Sequence, residues 1–215
     1  MVKGIIFDLD GTSLNTDIYV VLNYINLFEK FCPERLISLK ELAYLSGPSL
    51  TWGLDTYFYG LDREKIMKEY LSWAEENAVR YTLMYPRERE AFEYFKKENL
   101  KIGLVTNKIK SGVERCLTAF DLKKYFNSVF YYERTSKHKP DPEPILCCIK
   151  ELGLSKDEVI YVGDDKVDIQ AGKAAGVKVC LVKFGLKEVS NEDDSDYKVT
   201  SYDELSELVS RLIKE

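Results

Sequence analysis

Two short stretches place carboxylates directly after apolar runs. In the first, Val2 to Phe7 leads into Asp8-Leu9-Asp10-Gly11-Thr12. Asp8 and Asp10 stand two apart, so on an extended backbone their side chains point the same way, roughly 6.5 to 7 Å apart along the chain. Carboxylates so placed repel unless a cation or a shared proton joins them. Taken alone, Asp10-Gly11 also fits a plain tight turn. In the second stretch, Val159 to Val162 is followed by Gly163-Asp164-Asp165 and then Asp168. Asp164 or Asp165 would equally suit the cap of a following helix. Together, two acidic loops at the ends of neighbouring strands make a site of hard oxygen donors suited to Mg²⁺.

Two further positions fit an anionic ligand. Thr106-Asn107 closes the apolar run that begins at Lys101, and a hydroxyl and an amide before a helix serve as an N-cap pair or as a phosphate contact. Lys139 precedes Pro140, which biases it toward an extended backbone and keeps it out of a helix. A lysine held in such a loop could neutralise a phosphate and a nearby carboxylate, although a surface loop lysine is the commoner finding. Lys137 is a weaker rival.

These residues need a scaffold. The 215 residues suffice for one principal domain with room for an insertion. A composition of 45% hydrophobic and 31% charged residues is that of a folded, soluble protein. Thirty-one basic residues against 36 acidic ones give a net charge of −5, and the basic residues form no stripe, which disfavours nucleic acid as a partner. No apolar run approaches the roughly 18 residues of a membrane span, and the first residues lack a signal peptide's apolar core, so the expected setting is cytoplasmic. The five cysteines (Cys32, Cys116, Cys147, Cys148, Cys180) show no metal-ligand spacing and read as reduced, small hydrophobic residues.

From Val2 to Phe7 the pattern is that of a buried parallel strand. From Thr16 to about Thr82 it is helical throughout, punctuated by Gly47, Pro48, Gly53 and Gly60. Beyond Tyr85-Pro86, helices and strands alternate: helix 87–98, strand 101–106, helix 113–120, strand 128–132, helix 142–152, strand 159–162, helix 167–175, strand 177–182 and a last helix over 202–213. This is an α/β chain, a Rossmann-like doubly wound parallel sheet whose ligands sit beyond the carboxyl ends of the strands. Residues 1–15 and 83–215 form the expected core, and 16–82 an all-helical cap inserted after the first strand. The acidic run 191–196 reads as a solvated loop.

In order and spacing, Asp8-Leu9-Asp10-Gly11-Thr12, Thr106-Asn107, Lys139-Pro140-Asp141-Pro142 and Gly163-Asp164-Asp165 with Asp168 resemble the four motifs of the haloacid dehalogenase superfamily. The resemblance spans nearly the whole chain, including Tyr85-Pro86 and Lys183-Phe184-Gly185, and the helical insertion looks like that family's small cap. It implies a Mg²⁺-dependent phosphohydrolase of the phosphoglycolate phosphatase and phosphoglucomutase branch, acting on a small phosphorylated metabolite as a monomer or homodimer. By the same resemblance Asp8 is the nucleophile and Asp10 the general acid and base. Mg²⁺ is held by the Asp8 carboxylate, the Asp10 backbone carbonyl and the Asp164 carboxylate, with Asp168 behind them. Gly11, Thr106, Asn107 and Lys139 hold the phosphoryl group.

Dehalogenating relatives lack a residue corresponding to Asp10, which argues against that reaction here. Mutases of this branch carry a cap-hinge histidine where this chain has Val20. Phosphonate-cleaving relatives use a cap lysine, for which Lys30, Lys40, Lys65 and Lys68 are the candidates. Ser13 stands in place of an aliphatic residue, Asn15 of an aspartate and Arg87 of a glycine, departures that touch substrate choice more than chemistry. The single histidine, His138, is expected to be a loop neighbour of Lys139. Tyr44, Trp52, Tyr57, Phe58 and Tyr59 could line a pocket or a dimer contact, or simply pack a core. The competing class is a binding protein that keeps the fold without the reaction.

Overall fold

The computed structural model describes residues 1–45, 50–185, 189 and 192–215. Gly47, Pro48 and Asn191, singled out above, lie outside them. The chain divides into two compact units, one of Met1–Leu14, Met84–Gly185 and Val189–Glu215, the other containing Asn15–Leu83.

The first unit is built on six parallel strands: β1 (Gly4–Phe7), β2 (Lys101–Val105), β3 (Ser128–Phe130), β4 (Val159–Gly163), β5 (Lys178–Val182) and β6 (Tyr197–Val199), in the spatial order β3-β2-β1-β4-β5-β6. Numbering the helices along the whole chain, this unit carries α5 (Glu88–Lys97), α6 (Lys110–Ala119), α7 (Glu143–Leu152), α8 (Lys166–Ala175) and α9 (Tyr202–Leu212). Strand side chains alternate between two cores. Ile5, Phe7, Ile102, Leu104, Ile160 and Val162 pack with Phe92 and Phe95 of α5, Val113 of α6 and Leu205 of α9. Ile6, Val105, Tyr161, Val179 and Leu181 pack with Ile145 and Ile149 of α7 and Ile169 of α8. Each such side chain contributes roughly 1.5–3 kcal/mol by leaving water. That double burial is why the strands read as continuous apolar runs. The order of strands reverses between β1 and β4, and a sheet of this kind opens a crevice there.

Some boundaries differ from the expectation. Helix α6 begins at Lys110, a turn earlier than Val113. Strand β3 ends at Phe130, because Tyr132 opens a 3-10 turn through Arg134. Strand β6 has no counterpart in the periodicity, being three residues long and bounded by polar chain.

The second unit holds α1 (Asp17–Phe31), α2 (Leu39–Tyr44), α3 (Leu50–Tyr57) and α4 (Arg63–Tyr81). Ser38 and Glu41 form a capping box on α2, and Asp62 caps α4. The core joins Tyr24, Leu27 and Phe28 of α1 to Leu54 of α3, to Ile66 of α4 and to Phe58 of the turn between those two helices. Of the five cap aromatics, Phe58 is core, whereas Tyr59, Tyr44 and Trp52 are exposed by 89%, 56% and 38%. Core packing therefore does not account for those three. Lys30, Lys40, Lys65 and Lys68 are all exposed, without the burial that makes a lysine nucleophilic at neutral pH. No described helix is long and apolar enough to cross a membrane.

Candidate active site

Phe7 of β1 stands in register with Val162 of β4, and the Asp8 amide donates to the Val162 carbonyl at 2.9 Å. This pairing brings the two acidic loops together where the strand order reverses. Asp8, Asp164 and Asp168 are all buried, and each offers a carboxylate oxygen within 4.8 Å of the others. Lys139 enters the same group from its loop. Its Nζ lies 2.7 Å from Asp8 Oδ1 and 2.7 Å from Asp168 Oδ1, and donates to the Tyr161 hydroxyl at 3.1 Å. The approach to Asp8 is an ion pair without hydrogen-bond alignment, since buried Asp8 Oδ1 has no donor aimed at it.

Asp168 is placed differently. Its Oδ1 accepts from Lys139 Nζ and from the Tyr161 hydroxyl at 2.9 Å, and its Oδ2 from the amides of Asp164 and Asp165 at 3.2 and 3.1 Å. With four protein donors satisfied, it serves to hold Lys139 and the β4 loop. Asp165 is the cap of α8, accepting from the Val167 amide at 3.1 Å.

Burial pushes the Asp8 carboxyl up; Lys139 opposes this, Asp168 and Asp164 reinforce it, and the net position lies above the ordinary carboxylate range. For Lys139, burial alone would favour the neutral amine, but Asp168 and Asp8 outweigh it and hold the ammonium above its ordinary value. Burial first, then Asp168 and Asp8, push the Tyr161 hydroxyl well up, so it remains a donor.

The loop after β1 turns at Gly11, whose φ of +81° suits glycine. A β-carbon there would also come within 2.1 Å of Asp164 Oδ2. Thr12 Oγ1 donates to Asp164 Oδ1 at 3.2 Å, tying the two acidic loops. Ser13 explains its own departure from an aliphatic residue, because its hydroxyl donates to the Asp8 carbonyl at 2.7 Å. The Tyr85 and Tyr202 hydroxyls brace the carbonyls of Gly11 and Thr12 at 3.1 and 2.8 Å.

Asp10 is half exposed, and its carboxylate stands apart from the buried trio, accepting from Lys108 Nζ at 2.9 and 3.0 Å. The metal role implied for Asp10 runs through its backbone carbonyl. Thr106 and Asn107 follow β2, and of the two readings open to them the structure does not show an N-cap pair. Ile109 holds that position, with no side-chain cap, because α6 starts three residues after Asn107. Instead Thr106 Oγ1 accepts from the Lys108 amide at 3.2 Å. The Asn107 side chain bonds the Lys139 backbone twice, donating to its carbonyl at 2.9 Å and accepting from its amide at 3.0 Å. Asn107 thus fixes the loop that aims Lys139. Lys137 pairs with Asp141 at 3.2 Å, and His138 stacks on Tyr132, so neither competes with Lys139. Sequence reasoning did not single out Lys108 or Tyr161. Their signals were a cation directly after Thr106-Asn107 and a lone hydroxyl inside an apolar run.

A doubly wound sheet with carboxylates and a lysine gathered at its switch point defines a class of enzyme, and comparison with known proteins names it. Residues 5–182 match the model of the haloacid dehalogenase-like hydrolases, and the chain belongs to that family. Pyrophosphatase PpaX of Listeria monocytogenes is 30% identical over 192 residues, covering 86% of this chain and 85% of the relative. Pyrophosphatase PpaX of Halalkalibacterium halodurans is 28% identical over 213 residues, covering 97% of each. Among solved structures, a haloacid dehalogenase-like family hydrolase from Streptococcus pneumoniae superposes with a TM-score of 0.82 at 18% identity, covering 97% of this chain and 98% of that one. CbbY from Rhodobacter sphaeroides in complex with phosphate gives 0.81 at 16% identity, over 95% and 96%. At these identities the structures bear on the fold, which is the α/β architecture expected from the sequence.

Proposed function

We propose that this hydrolase is a Mg²⁺-dependent phosphatase acting on a small phosphate monoester, with Asp8 as nucleophile. The carrying observation is the buried Asp8 carboxylate, one oxygen without an aligned donor, beside Lys139 and two further carboxylates. That donor set, all hard oxygens, fits Mg²⁺, which the carboxylates of Asp8 and Asp164 and the backbone carbonyl of Asp10 would hold. When bound, the ion screens the charge between the carboxylates and an incoming phosphate.

Asp8 attacks phosphorus as the ester oxygen leaves, forming an aspartyl-phosphate and dividing one difficult displacement into two. Asp10 gives its proton to the departing alkoxide, then takes one from the water that cleaves the aspartyl-phosphate. The Thr106 hydroxyl, the Asn107 backbone N–H and the Lys139 ammonium receive the phosphoryl oxygens as charge spreads over them, with Gly11 leaving the loop room for the group. Asp168 and Tyr161 keep Lys139 aimed and charged. In this reading the helical segment 16–82 is the cap that selects substrate, and the setting is cytoplasmic. Val20 at the cap hinge speaks against a mutase. The name of the two relatives puts inorganic pyrophosphate beside phosphoglycolate on the substrate panel.

The test is release of phosphate from p-nitrophenyl phosphate and that panel, with and without Mg²⁺. Mg²⁺-dependent turnover, lowered at least about a thousandfold in Asp8→Asn, is expected. Turnover equal in the two proteins would exclude Asp8 as nucleophile. Binding of a panel compound with no turnover would instead favour a binding protein.

A further inference from the structure

Lys108 takes no part in the chemistry just described, yet it is held at four points. Its amide donates to Thr106 Oγ1 at 3.2 Å, and its carbonyl accepts from the Tyr132 amide at 3.0 Å. Its aliphatic stem lies against Gly112 of α6, where a β-carbon would come within 3.1, 3.2 and 3.3 Å of Cε, Cγ and Cδ. Its ammonium reaches both oxygens of Asp10, and only 15% of the side chain is exposed. A surface ion pair shows none of this preparation, because its long side chains trade contacts freely with water.

We infer that Lys108 is the positioning residue for Asp10, fixing the direction in which that carboxyl delivers and receives its proton; this rests on the phosphatase reading above. A protonated carboxyl keeps an acceptor oxygen. One oxygen of Asp10 therefore stays on the Lys108 ammonium while the other gives its proton to the leaving alkoxide and later removes one from water. The lysine keeps its own protons throughout. Gly112 gives the stem its room, since a β-carbon there would press on Cε, Cγ and Cδ and make the stem give by a few tenths of an ångström.

Leaving-group dependence separates this role from a structural one. An alkyl phosphate releases a strongly basic alkoxide that requires the proton, whereas p-nitrophenyl phosphate releases a weakly basic phenolate that does not. Lys108→Met is expected to lower kcat/KM for the alkyl ester by about a hundredfold and for the aryl ester by less than about tenfold. Lys108→Arg supplies a cation able to bond a carboxylate at two points and returns part of the loss. Gly112→Ala keeps the lysine and its charge, and alanine favours a helix over glycine by roughly 0.5–1 kcal/mol. It should lose alkyl-ester activity several-fold while its Tm holds or rises, a result that decides the matter even if Lys108→Met fails to fold. Equal losses on both esters, or no loss on either, would overturn the assignment while leaving an active phosphatase. An unaltered protein inactive with Mg²⁺ on both esters and on the rest of the panel would sink the phosphatase reading and this inference with it.

Discussion

Among the described residues of the first unit, two buried carboxyl groups each keep an oxygen without an aligned hydrogen bond, Asp8 at the end of β1 and Glu88 at the start of α5. Both are pushed up by burial. Their company differs. Asp8 has the Lys139 ammonium at 2.7 Å and two further carboxylates, an arrangement that keeps charge in place and awaits more of it. Glu88 has one amide, that of Tyr85 at 2.9 Å, and lies within electrostatic reach of the Tyr202 hydroxyl and of Arg89. Burial carries it up to about 8, against the weaker opposing pull of the Tyr85 amide and Arg89. An unsatisfied acid oxygen is thus no mark of a site; a neighbouring cation and further carboxylates at a strand end are. Both carboxyls are pushed upward, and what separates them is that Asp8 sits in a network of Lys139, Asp164 and Asp168 whereas Glu88 does not.

Removing the cation should abolish the contrast most severely. Lys139→Met leaves Asp8 and Asp168 buried without their counter-charge, and an uncompensated buried charge of this kind costs about 3–5 kcal/mol. Urea denaturation should record that loss, together with a loss of turnover; a change under about 1 kcal/mol would mean that the network is wetter than its burial indicates.

Glu88→Gln should have an effect on stability that depends on pH and spares turnover. The native group, at about 8 against an ordinary 4.5, holds a proton across that window while the unfolded group does not. Its burden on stability is absent below about 4.5 and grows by about 1.4 kcal/mol per pH unit as pH rises toward 8. The variant should match the native protein near pH 4.5, exceed it increasingly toward pH 8, and retain phosphatase turnover within about twofold. A parallel pair of stability curves would show that Glu88 is ionised throughout.

The smallest effect is expected one residue earlier. Arg87 has a φ of +65°, the reason a glycine suits this position, and its ion pairs with Glu90 and Asp203 are exposed. Arg87→Gly should therefore stabilise by up to about 1 kcal/mol, or about 2–4 °C in Tm. A fall in Tm would assign real value to those surface pairs.

Much of the site could be read from the chain because parallel strands end on one edge, so polar residues directly after apolar runs must meet there. Asp8 and Asp164 obey that rule, while Asp168 joins them from α8 and Lys139 from its loop. What stayed hidden were choices among partners. Nothing in the order of residues says that Lys108, and no other ammonium, turns to Asp10, or that the Asn107 side chain spends itself on the Lys139 backbone. Tyr161 illustrates the same limit: alternation within β4 gives its face of the sheet, while the hydroxyl's bond to Asp168 depends on a loop that periodicity does not describe. Glu88 resembles an ordinary first-turn acid until its burial is known.

The brace between the Tyr202 hydroxyl and the Thr12 carbonyl joins residues 190 positions apart. A ribosome adding about 5–20 residues per second needs about 10–40 s to make that stretch of chain. Throughout that interval the acidic loop exists without the residue that props it, and Val2 lacks the Leu212 carbonyl that receives its amide. The segment bearing Asp8 is completed only when the last helix has been made.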